Sequence, residues 1–208
     1  VEWADRVIRS RRLSLRIDLA SAFSHAIAAL SIGACFYRPG VPRRFWVAGA
    51  LCAVLPDLDV LGFGLGIQYS DPLGHRGLTH SLPFAAALAA LVTFTAFRGI
   101  PGLSRQALFG YLFVATASHG LLDAMTDGGL GVAFFAPFSN ARYFLPWTPI
   151  RVSPIGVSRF FTDRALAVLK SEFVWIWIPA MLFALVGWRV KSSSAPTAGR
   201  STGPHSWL

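Results

Sequence analysis

Apolar and polar positions along the chain separate into blocks. Leu19–Tyr37 is a run of 19 residues in which His25 is the strongest ionisable group, and Phe45–Leu55 is a run of 11 that stops at Pro56. Leu82–Phe97 carries no charge, Ala107–Met125 carries only His119 and Asp123, and Phe173–Trp188 is uncharged with three tryptophans. A helix that crosses a bilayer needs about 20 residues, within a range of roughly 17–25. The first and fourth runs meet this, and the third and fifth meet it with their flanks. At about 1.5 Å per residue, Phe45–Leu55 covers only roughly half of a ~30 Å hydrocarbon core. The pattern therefore predicts a helix that ends inside the membrane thickness or against protein, because exposed non-helical backbone is not tolerated at that depth. The expected fold is all-α: a multi-pass membrane bundle of about five helices, one of them half-spanning. It occupies residues 19–190, between a basic segment, 1–18, and a disordered small-polar tail, 191–208, that includes an idle His205.

The connections differ in kind. Arg38–Arg44 and Gly99–Arg105 are short and read as tight turns. Pro56–Thr79 and Thr126–Thr162 are long and rich in Gly, Pro and aromatics, and the second is apolar enough to pack as a lid over the helix ends.

Composition agrees with a membrane protein, since 54% of residues are hydrophobic and 14% charged, against about 25% charged in soluble domains. The net charge of +9 is mostly arginine placed beside apolar runs, as at Arg43, Arg44, Arg98 and Arg189. That placement suits lipid headgroups. With no basic stripe interleaved with aromatics, nucleic acid is not an expected partner. Cys35 and Cys52 lie in apolar segments without CxxC spacing, so neither a thiolate metal site nor a disulfide is implied. The first 18 residues hold five arginines and three acids, but no A-x-A site follows, which argues against a signal peptide. Basic turns favour one orientation and the N-terminal arginines the other, so the charge rule leaves topology open.

The ionisable residues carry the chemistry. In an up-and-down bundle, the start of the first helix (His25), the end of the second (Asp57 and Asp59 in "LPDLDV"), the start of the third (His80 in "GHRGLTHS") and the end of the fourth (His119 and Asp123 in "HGLLD") all fall on one side. Buried ionisable groups cost several kcal/mol unless paired or ligated, and accident would scatter them between both ends. Imidazoles with carboxylates suit Zn, Mn or Fe. His119 and Asp123 are four apart and share a helical face. Asp57 and Asp59 are expected on alternate sides of an extended turn, able to bridge two ions. Gly74 and Gly77 permit a tight loop, Thr79 or Ser81 caps the third helix, and Arg76 at the mouth is placed to clamp a phosphate or carboxylate, or else to pair with Asp71. The bland alternatives are a core histidine at His25, a cap at Asp57–Asp59, a neutral pair at His119–Asp123, a loop-orienting His75 and a turn at Asp127.

The motifs "SHAIAAL", "LPDLDV", "HRGLTHS", "HGLLDAMTDGG" and "PFSNARYFLPWTPIRVSPIG" occur in an order that resembles the YdjM-like family of bacterial inner-membrane proteins, described as metal-dependent hydrolases. The resemblance covers about Ser21 to Gly156. It implies a multi-helix protein of the bacterial inner (cytoplasmic) membrane with a metal site at His25, Asp57, Asp59, His80, His119 and Asp123, and with Arg76 in the matching loop. The arginine-rich segment before Ser21 departs from the family pattern. The ligand set is also similar to that of zinc-dependent phospholipase C, by chemistry rather than alignment.

The function expected is metal-dependent hydrolysis of a phosphoester or lipid-like amphiphile. One or two divalent ions, zinc first, would activate a water. Asp57 or Asp59 would bridge or take the proton, and Arg76 with His75 would face substrate charge. Membrane lipids are the expected surroundings, and the wall Val132–Trp147 would admit an apolar chain. The alternative is a metal-binding or ion-transporting membrane protein without hydrolysis, since intramembrane His and Asp also mark ion paths. A third reading is a polar cluster that only fixes packing.

Overall fold

The computed structural model describes residues 19–37, 40–152 and 163–193. The basic segment 1–18, residues 153–162 and the chain from 194, including His205, lie outside the described residues. The helices are α1 (Leu19–Ala34), α2 (Arg43–Val54), α3 (Leu82–Thr95), α4 (Arg105–Ala124), α5 (Asp163–Glu172) and α6 (Ile178–Ser193). Among the described residues, two 3-10 segments, Leu55–Leu65 and Leu78–His80, and a π-turn, Phe173–Trp177, complete the helical structure. The described residues form no strand beyond isolated bridges such as Val132 with Tyr143. α4 lies at the centre, in contact with α1, α2 and α3, and α6 lies against α1.

The second helix differs from its expected length. The α-helical part is 12 residues, but Pro56 does not end it. Proline sits in the first turn of the 3-10 segment, where its missing N–H costs little, and the chain winds on as one 23-residue helical stretch, Arg43–Leu65. It stops at Gly66, whose φ of +87° only glycine adopts without strain. Arg105–Ala124 and Leu166–Val190 are likewise long and apolar enough to span, and Ala22–Ala34 and Leu82–Thr95 are shorter apolar helices. The last helix begins well before the apolar run that signals it. α5, the π-turn and α6 are continuous and take in the charged residues from Asp163 to Glu172.

Helix starts obey local chemistry. The Ser81 hydroxyl accepts from the Phe84 N–H to cap α3, and the Ser104 hydroxyl accepts from the Ala107 N–H to cap α4. The loop that follows α4 is folded rather than free. Ala133 N–H donates to the Arg76 carbonyl and Leu82 N–H to the Phe134 carbonyl. Trp147 meets Trp175 of the π-turn edge-on at 4.7 Å.

One apolar core fills the half of the bundle away from the histidines: Phe45, Cys52, Ala89, Phe97, Leu108, Tyr111 and Leu112 are all buried. The Phe45 and Tyr111 rings stack with centroids 4.3 Å apart. Backbone glycines make room for Tyr111. A Cβ on Gly49 would collide with its ring, and one on Gly33 would stand 2.8 Å from the Trp46 ring. Small residues at helix crossings are how membrane helices gain close contact without a hydrophobic drive between them. Large apolar side chains such as Leu51, Leu91, Phe94, Leu182 and Val186 point outward, as expected where lipid is the solvent.

Two glycines on the spanning helices separate packing from helix propensity. Gly49→Val should lower stability in detergent by about 1–3 kcal/mol through overpacking against Tyr111. Gly110→Ala, where a Cβ meets nothing within 4 Å, should be neutral or stabilising by about 0.5–1 kcal/mol. Thermal unfolding of the two variants side by side checks this.

Candidate metal centre

Winding decides where the two carboxylates of "LPDLDV" point. In a 3-10 helix of three residues per turn, positions two apart diverge by about 120°. Asp57 and Asp59 therefore reach opposite edges of one ring, His80, instead of flanking an extended turn. His80 ends the short 3-10 segment before α3, and the loop that delivers it turns on Gly74 and Gly77. A Cβ at either glycine would strike backbone carbonyls of residues 68–74, and the Leu78 N–H closes the loop onto the Pro72 carbonyl. His119 and Asp123 project from the last turns of α4. Gly120 between them lets α4 approach the His80 carbonyl, which a Cβ there would meet at 2.7 Å.

Four side chains converge. Asp57, His80, His119 and Asp123 each offer a donor atom within 4.8 Å of the others. His80 Nε2 and His119 Nε2 are 3.0 Å apart. His119 Nε2 is 3.2 Å from Asp57 Oδ1 and 3.6 Å from Asp123 Oδ2, and His80 Nε2 is 3.2 Å from Asp123 Oδ2 and 3.8 Å from Asp57 Oδ1.

The outer nitrogens fix the inner ones. His119 Nδ1 lies 2.7 Å from the Ala53 carbonyl, so it carries the proton and Nε2 turns a lone pair inward. The Thr79 hydroxyl gives its proton to Asp59 Oδ2 at 2.7 Å, so toward His80 Nδ1, 3.0 Å away, it accepts. Asp59 Oδ2 stands 3.2 Å from the same nitrogen. His80 Nδ1 therefore also bears a proton, and its Nε2 faces inward too. Two lone pairs 3.0 Å apart, beside two carboxylates, need positive charge between them. Without a cation, a proton on His80 supplies it. Burial alone would lower the His80 pKa, but its bonds to Asp123, Asp57 and Asp59 prevail and hold it well above the ordinary histidine value.

The residues present also fit a metal ion. Asp57 Oδ2 is buried without a hydrogen-bond partner, a costly arrangement that a cation relieves. Donors about 2.0–2.1 Å from a tetrahedral ion stand about 3.3 Å apart, and the separations between imidazole and carboxylate donors, 3.2 to 3.8 Å, straddle that edge.

The other residues singled out in the sequence sit around these four. Asp59 is the hub of the outer ring. It accepts from His75 Nδ1 at 2.7 Å, from Thr79, and from the Arg76 N–H at 3.2 Å, and with His75 and His80 it forms a second group able to hold an ion. His75 bonds Asp59 and meets the His80 ring edge-on, with centroids 5.2 Å apart. His25 stacks on His119 with ring centroids 3.7 Å apart. Its Nε2 is 3.7 Å from Asp123 Oδ1, and its buried Nδ1 has no hydrogen-bond partner. Arg76 is not at a mouth. It is buried, its Nε is 3.2 Å from Asp123 Oδ2, and its Nη1 donates to the Thr126 hydroxyl and the Gly128 carbonyl. Its φ of +62° costs about 1–2 kcal/mol for a residue with a Cβ and turns its N–H toward Asp59. Asp71 instead closes its own turn by accepting from the Gln68 N–H, and Asp127 accepts from the Val152 N–H. The wall Val132–Trp147 folds over the His75–Arg76 turn.

Three participants carry no motif that singles them out. Thr79, considered only as a cap, orients His80. Arg142 holds the loop by donating to the carbonyls of Tyr69, Asp71 and His75. Glu172, beyond the edge of the last apolar run, is buried and accepts from the Ser24 hydroxyl at 2.9 Å. An acid abutting a spanning segment was the one signal available for it.

The family model described as "YdjM inner membrane protein" matches residues 21–194. The Inner membrane protein YbcI of Escherichia coli (strain K12) is 41% identical over 173 residues, spanning 82% of this chain and 99% of that protein. No solved structure matches the chain.

Metal analysis of detergent-purified protein should find a divalent ion in the wild type and lose it in His119→Ala and Asp57→Ala. Asp59→Asn, which leaves the inner four in place, should weaken binding by about 10–100-fold. Because the ion must displace the His80 proton, affinity should fall as pH is lowered, readable by calorimetric titration at several pH values.

Proposed function

The chain belongs to the YdjM inner membrane protein family, and from that premise we propose that it is a multi-pass inner-membrane hydrolase that cleaves a phosphoester of a membrane lipid with the help of a divalent cation, zinc first. The observation that carries this reading is the convergence of Asp57, His80, His119 and Asp123 from three separate segments on one buried point that demands positive charge. These four would hold the ion. When bound, zinc supplies Lewis acidity and a water of lowered pKa.

The chain's own residues do the rest. Asp59 keeps His80 in the tautomer whose Nε2 faces inward. Ala53 does the same for His119 through its carbonyl. Arg76 braces Asp123 and brings a fixed positive charge beside it, which lowers the cost of a negative headgroup nearby. Asp57 has the most open side chain of the four, 15% exposed against 8% or less for the others. Its Oδ1 faces the imidazoles and its Oδ2 is unpartnered, so Oδ2 is the atom assigned to take the proton of the attacking water.

A lipid substrate is favoured by what surrounds the centre. Leu58, Leu61 and Leu65 on the 3-10 segment, with Leu73 and Phe138 on the loops, are all more than half exposed. In water such a surface would be a liability, whereas in the headgroup region it places the centre beside membrane-borne molecules. A second reading, ion binding or transport without hydrolysis, is favoured by the complete burial of the His80 and His119 side chains.

The test is a hydrolysis screen with phospholipid vesicles and a soluble phosphodiester, run with the metal analysis. Wild type should release a phosphorylated or dephosphorylated headgroup product, chelation should abolish release, and Asp57→Asn should lower it by at least about 100-fold. Stoichiometric metal with no cleavage of any substrate would favour the second reading.

A further inference from the structure

We propose that Glu172 is a positioning residue for the candidate centre: through Ser24 it sets the rotation of α1 that stacks His25 on His119, so that the last helix closes the site from outside. The proposal rests on the metal-centre reading for its functional meaning, but not for its geometry.

Glu172 is 1% exposed and Ser24 is 1% exposed. The Ser24 hydroxyl donates to Glu172 Oε2 at 2.9 Å and accepts from Trp177 Nε1 at 2.9 Å. One hydroxyl is thus gripped from both sides by one helix. The grip depends on the π-turn. Residues five apart on an α-helix point about 140° away from each other, so Glu172 and Trp177 could not both face α1. The turn bonds i to i+5, with the Ile178 N–H donating to the Phe173 carbonyl, and this wider winding narrows the angle between positions five apart, so that both side chains reach the Ser24 hydroxyl. Single π-turns of this kind recur at functional sites, and an acid inside a stretch able to span, Leu166–Val190, needs a reason to be there.

His25 is the adjacent residue, and nothing in the centre hydrogen-bonds it. Its Nδ1 is unpartnered and its Nε2 is 3.7 Å from Asp123, beyond hydrogen-bond reach. Its place is set by the stack on His119 and by the rotation of α1, and the polar grip at that level of α1 is Ser24. The same stripe of α1 that carries His25 continues through Ala28 and Ile32 into a shallow groove of about 330 Å³ shared with Trp175, Ile176 and Pro179, so α1 and the last helical stretch face one another beyond this contact.

The test uses the full chain in detergent and two readouts. The first needs no metal: carbethoxylation of each histidine by diethyl pyrocarbonate, mapped by mass spectrometry. Glu172→Leu and Trp177→Phe should unmask His25 several-fold while His75 and His80 keep their wild-type rates, and Glu172→Gln, which keeps an acceptor oxygen, should restore protection. The second is the visible spectrum and affinity of bound cobalt(II). Glu172→Leu should shift the spectrum and weaken affinity by about tenfold, and the double variant with His25→Ala should be no weaker than His25→Ala alone. Unchanged His25 labelling in Glu172→Leu, equal unmasking of all the histidines, or fully additive losses in the double variant would each overturn the proposal. If Glu172→Leu does not fold, Trp177→Phe and Ser24→Ala give the same readings. A wild type that takes up no cobalt yet shows selective unmasking of His25 would leave the clamp standing and sink the metal-centre reading instead.

Discussion

Everything in the polar half of this bundle answers to one constraint: two imidazole lone pairs and two carboxylates meet in a space from which water is nearly excluded. Such an arrangement is unstable by itself. A positive charge at its middle, a proton or a metal ion, would relieve it, and the outer nitrogens of both imidazoles are committed elsewhere. Ala53, Thr79 and Asp59 settle the imidazole tautomers. Among the described residues, Arg76 supplies the one permanent cation in contact with the cluster. The charge balance explains why an arginine in a left-handed backbone conformation is worth its strain.

The apolar half does the opposite work. Phe45, Tyr111 and Leu112, seated on Gly33 and Gly49, lock α1, α2 and α4 at close range. Because α4 carries both the ring that fills this core and the pair His119 and Asp123, packing in one half sets distances in the other. Gly120 extends the same principle into the centre, since any side chain there would push α4 away from His80.

The bundle was legible in the sequence because apolar runs and their lengths report membrane crossing directly. His119 with Asp123 was legible as well, since four-residue spacing on a helix has only one geometric meaning. The fate of Asp57 and Asp59 was not. Their spacing names two carboxylates, but only the winding around Pro56 tells that one faces the inner nitrogens and the other the outer edge of the same ring. Arg76 looked exposed because it sits in a glycine-rich loop, and a positive φ in a residue with a Cβ leaves no mark in sequence. Glu172 was only faintly marked, for a different reason: hydropathy sees where the apolar run begins, not that the helix started ten residues earlier.

The continuation of α2 in a looser-rising coil has a consequence for depth. Twelve α-helical residues advance about 18 Å, and three more at about 2.0 Å each bring Asp57 to about 24 Å from Arg43. If the arginine pair at the start of α2 marks one hydrocarbon boundary, Asp57 lies about 6 Å short of the other in a layer ~30 Å thick. A carboxylate held there lies beneath the headgroup layer and is open sideways to the leaflet.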